Sequence, residues 1–141
     1  MAVLDNADVI VSGHLDRKGK LCGSKKQGLH MWRSQKVQSI ATNKAHRLGM
    51  RISCIFAWGT SKHAYDGSDM VLRSKAAGLG TYSMCRFPNG KVYNYDLSAS
   101  YNIGARYFIR EILKSLPETA RLDMEAEVPP VLREAPVHSL R

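Results

Sequence analysis

Residues 50–58, MRISCIFAW, restrict the possible folds more than any other stretch. This β-branched, apolar run begins directly after Gly49, where a long helical pattern ends, and a run of the same kind, DVIVS at 8–12, precedes that pattern. Two strands separated by a helix cannot close as a hairpin; they pair in parallel through a right-handed crossover. A β-α-β unit is therefore expected. Its helix is read from about Leu29 to Leu48, with Val37, Ile40, Ala41, Ala45 and Leu48 at helical spacing on a core-facing side. Gly49 takes the C′ position, and Arg33, Lys36, Lys44 and Arg47 form the opposite, cationic side.

At 141 residues the chain has the length of one domain. The segment from Gly59 to Gly80 mixes glycines and polar residues without a sustained period and is expected to be an irregular insertion. Next comes YSMCRFPNGKVYNYD, two short β-type runs around an Asn-Gly pair, which predicts a hairpin. Leu97, Tyr101, Ile103, Ala105, Phe108, Ile109, Ile112, Leu113 and Leu116 then describe a strongly apolar helix stopped by Pro117. Residues 117–141 hold four of the five prolines and read as a flexible tail, acidic at first and mixed later.

The net charge is +9, and residues 14–51 carry ten Lys/Arg against one acid. Such a charge calls for a polyanionic partner, with DNA or RNA ahead of an anionic membrane surface. Lys18, Lys20, Lys25, Lys26, Arg33 and Lys36, continued by Lys44 and Arg47, are the candidate phosphate contacts. Contacts of that kind are blind to sequence and strongly salt-sensitive. His30 and Trp32 interleave with them and are placed either to stack on a base or to pack the helix. The bland alternative is a solvated face. No run approaches 18 apolar residues, and the N-terminus is acidic where a signal peptide is basic, so no membrane partner and a cytoplasmic location are expected. Three cysteines spaced about thirty apart (Cys22, Cys54, Cys85) argue against a disulfide framework, and His14, His46 and His63 lack ligand spacing.

Asp96 stands where the hairpin passes into the apolar helix. Locally it reads as a helix cap, its carboxylate accepting from orphan backbone N–H groups at the positive end of the helix dipole. The functional alternative is a ligand to a divalent cation, which requires further carboxylates beside it.

GTSK at 59–62, the hairpin with Cys85 and Gly90, and above all YDLSASYNIGARY at 95–107 resemble the C-terminal part of the TnpB (OrfB) proteins of insertion sequences. These are RNA-guided DNA endonucleases related to the type V CRISPR effectors. The resemblance runs from about residue 8 to residue 114. It implies an α/β, partial RNase H-like (RuvC) domain over 1–116, with a zinc-ribbon-like insertion at about 59–95. It also implies that Asp96 is the remnant of the third catalytic, Mg²⁺-binding carboxylate. The departures are specific. Gly13 occupies the position of the second catalytic carboxylate, a glutamate in the family, and Asp16 is a poor substitute. The strand bearing the first carboxylate lies upstream of the matching segment. Of the four zinc cysteines only Cys85 remains; His63 and Asp66 stand near the first pair and Asn89 within the second.

No zinc is expected, and Mg²⁺ only with residual activity. The expected function is that of a catalytically inactive fragment or remnant that keeps nonspecific nucleic-acid binding. The alternatives are a Mg²⁺-dependent nuclease whose missing parts act in trans, and an interaction module docking on a fuller nuclease. A half-sheet would leave an edge and apolar surface to be covered by such a partner or by self-association.

Overall fold

The computed structural model describes residues 7–14, 25–129 and 132–133, with the backbone alone for 25–35. Among them the chain is mixed α/β. Its elements are β1 (Val9–His14), α1 (Lys25–Arg47), β2 (Arg51–Phe56), β3 (Leu72–Arg73), β4 (Met84–Arg86), β5 (Val92–Asn94), α2 (Tyr95–Ser115) and α3 (Glu118–Glu127). The basic loop with Lys18 and Lys20, together with Asp16, lies outside the described residues. Contacts divide the chain into two compact units, one holding α1 with β1 to Ser12 and β2 to Cys54, the other holding the segment around Gly13 and everything from Ile55.

The expected β-α-β order is present. β1 and β2 form a two-stranded sheet. Asp8 O accepts from Arg51 N–H at 3.0 Å and His14 O from Ala57 N–H at 2.8 Å, so acceptor and donor advance together and the strands run parallel. α1 ends as its sequence demands. Gly49 N–H donates to His46 O and Met50 N–H to Ala45 O, a Schellman closure that needs the positive φ of 69° Gly49 adopts.

The buried side of α1 differs from expectation. Ala45 is fully buried and Gln38, Ala41 and Thr42 half-buried, whereas Val37, Ile40 and Leu48, placed in the core by periodicity, are all more than half exposed. Gln38 donates a hydrogen bond to the Ser12 hydroxyl of β1. A sheet of two strands covers only a narrow stripe of a helix, so the small and polar positions take it and the wider apolar arc stays in solvent.

In the second unit the insertion is more regular than its composition suggests. β3, β4 and β5 form an antiparallel sheet, with Leu72 opposite Arg86 and Cys85 opposite Tyr93. The hairpin is confirmed, but by a three-residue loop: Gly90 N–H donates to Phe87 O and Phe87 N–H to Lys91 O, with Gly90 at a φ of 86°. Pro88 and Asn89 suit the turn and Gly90 the left-handed bulge that follows it. Ala64, Cys85, Phe87 and Tyr95 form the core of this lobe, with Tyr65, Val71 and Tyr93 packed on it. The segment read as a flexible tail begins with a helix, α3, whose last carbonyls, those of Ala126 and Val128, accept from the Arg133 guanidinium at 2.7 Å each.

Candidate functional site

The N-terminus of α2 is capped by Asn94, not by Asp96. Asn94 Oδ1 accepts from Leu97 N–H at 2.9 Å, and Asn94 has the extended backbone a cap requires. Asp96 lies in the first turn, exposed, where its charge complements the helix dipole. Two residues of similar chemistry flank the junction, and only the one before the helix has an oxygen placed to turn back onto N3.

Gly13, the position matched to the second carboxylate, is closed against α2. A Cβ there would stand 2.9 Å from Ile103 Cδ1 and 3.0 Å from Ala57 Cβ. Ile103 follows Asp96 by two helical turns, an axial offset of about 10 Å. No three His, Cys, Asp or Glu side chains converge into a metal-binding group among the described residues. Gly13 itself offers no carboxylate to stand beside Asp96, and a two-metal centre needs several.

The stretch SASYNIGAR holds backbone. Ser98, Asn102 and Arg106, spaced i, i+4, i+8 along one face of α2, are all buried. Asn102 Nδ2 donates to Thr60 O at 2.8 Å and to His63 O at 2.9 Å. Arg106 donates to Phe56 O and, at 3.0 Å, to Trp58 O. Thr60 Oγ1 donates to Ala57 O at 2.8 Å, while the Ser98 hydroxyl finds no partner among the described residues. These side chains satisfy carbonyls that the irregular turn after β2 leaves without a ladder. Sequence reading missed this clamp, although three polar residues at helical spacing in an apolar helix were the signal for it.

The opposite consequence appears on the outer face of α2. Leu97, Tyr101, Phe108 and Ile112, expected in the core, are between 46 and 65% exposed and lie along one stripe. A separate concavity of about 230 Å³ between α2 and α3 has Ile109 and Leu113 in its wall and Arg110, Lys114, Arg121 and Glu125 around it, a setting that favours anions.

In the lobe of β3, β4 and β5, the turn at 66–68 and the hairpin turn at 88–90 are joined by side chains. Asn89 Nδ2 donates to Asp66 Oδ2 at 3.1 Å, and Asp66 Oδ1 accepts from Ser68 Oγ at 2.6 Å and from Ser68 N–H at 3.0 Å. The Ser68 hydrogen bonds, helped by Asn89 and Lys91, hold the Asp66 carboxyl below its usual range. Tyr65 packs edge-on to Phe87 and also meets Tyr93 and Tyr101. Lys91 Nζ donates to Tyr65 Oη at 2.6 Å and lies 4.9 Å from the Tyr65 and Tyr93 ring centres. Cys85 is fully buried, and that burial pushes its thiol pKa up, away from the reactive thiolate.

The cationic residues gather on α1. This helix contains no acid from Lys25 to Arg47. At 3.6 residues per turn, positions 25, 26, 33, 36, 44 and 47 fall within one arc of about 100° on a helix about 33 Å long. Lys36, Lys44 and Arg47 are exposed; for positions 25, 26 and 33 only the backbone is described. No described helix is long and apolar enough to cross a membrane. No family model, curated protein or solved structure matches this chain.

Proposed function

We propose that this chain is a catalytically inactive remnant or fragment of a TnpB-like, RNase H-related nuclease that binds DNA or RNA without sequence preference. The observation that carries this reading is the one-sided cationic arc of α1, six Lys/Arg positions with no acid in the helix. The resemblance at residues 95–107 supports the ancestry, and the closed position at Gly13 supports the loss of activity. A helix that neutralises several phosphates displaces condensed counterions, so its affinity must fall steeply with salt.

Anisotropy titrations of a labelled single-stranded oligonucleotide across a salt series test the binding. Each phosphate contacted contributes about 0.7 to the log–log slope, so replacing Lys36, Lys44 and Arg47 together by Gln should make the slope shallower by about two. Affinity that does not weaken between low and moderate salt would sink the proposal. The nuclease alternative predicts Mg²⁺-dependent cleavage that disappears in Asp96→Ala.

A further inference from the structure

We propose that Trp58 is a preorganised stacking platform for an unpaired base of single-stranded nucleic acid, with Lys62 supplying the accompanying charge. The inference rests on the nucleic-acid reading above and names a second contact, one that does not belong to α1. Trp58 is 66% exposed, unusual for a tryptophan. Lys62 Nζ lies 5.5 Å from its ring centre.

The backbone presenting that ring is fixed from beneath. Arg106 takes the carbonyls of Phe56 and Trp58, Asn102 those of Thr60 and His63, and Thr60 Oγ1 that of Ala57. Gly59 supplies the left-handed turn at a φ of 79° that reverses the chain directly after the ring. A tryptophan on a loose loop would fold onto nearby apolar surface; one whose own carbonyl is held by a buried guanidinium stays presented. Ordering completed during folding is not charged again on binding, which is the benefit of a rigid aromatic anchor. Every base has a π-face, so a Trp–cation pair recognises unpaired bases without reading sequence, and this suits a partner also held through its phosphates.

The test uses the full chain carrying Trp32→Phe, which leaves Trp58 as the sole tryptophan emitter. It is titrated with oligothymidylate and with an abasic oligomer of equal length and charge. Oligothymidylate should quench Trp58 emission and the abasic oligomer should not. Trp58→Leu should weaken oligothymidylate binding about tenfold while leaving abasic binding unchanged. If both oligomers bind with the same salt slope, leave Trp58 emission alone and ignore Trp58→Leu, the platform is refuted while phosphate binding by α1 stands. If neither binds, both proposals fall.

Discussion

Asn94 and Asp96 show how a single atom's placement decides a role that composition leaves open. Both residue types cap helices well, and only backbone conformation at the junction separates them: Asn94 is extended and its Oδ1 reaches Leu97 N–H, while Asp96 is already helical. Asn94→Ala should therefore lower stability by about 1 kcal/mol in chemical denaturation, with the loss persisting at high salt. Asp96→Ala should cost less, and its cost should vanish as salt screens the helix dipole. The reverse ranking would return the cap to Asp96. The spacing of Ser98, Asn102 and Arg106 marked a polar face, but not its burial, since a polar residue in an apolar helix reads as solvent-facing until the carbonyls it satisfies are located.

Elements were more legible than the faces they bury. Gly49, Pro117 and the Pro-Asn-Gly turn are local signals with local causes, and each marks the end or loop it predicts. Periodicity in α1 and α2 also located helices, but Val37, Ile40, Phe108 and Ile112 then remained exposed, because burial depends on how much sheet or helix lies opposite. β3 was invisible for want of length, at two residues. The lobe of β3, β4 and β5 carries a pH dependence. Asp66 has its folded pKa depressed below 3.8, so its ionised form favours the lobe above that value, and the contribution is lost as pH falls through the folded pKa. Near-UV signals from the Tyr65–Tyr93 cluster should weaken below about pH 4 and do so less steeply in Asp66→Asn. A transition of equal steepness in both chains would remove Asp66 from the account.

At the scale of the whole molecule, charge was the most legible property and apolar exposure the least. The excess of positive charge survives as the acid-free helix α1. If the expected self-association occurs, the exposed stripe of Leu97, Tyr101, Phe108 and Ile112 is the apolar surface it would cover. Light scattering should then show an apparent mass that rises with concentration and a return to monomer in Phe108→Ser/Ile112→Ser. A monodisperse monomer at every concentration would dismiss self-association.

The close approach at Gly13 ties three positions into one choice. Ile103 can be as large as it is, and Ala57 can stand where it does, because residue 13 contributes no side chain. Among relatives of this chain, identities at 13, 57 and 103 should accordingly vary together, a bulkier residue 13 appearing with a smaller residue 103. A side chain introduced at 13 alone would meet Ile103 Cδ1 and Ala57 Cβ just inside van der Waals limits, so it is accepted only as far as Ile103 turns away, and a smaller residue 103 removes that cost.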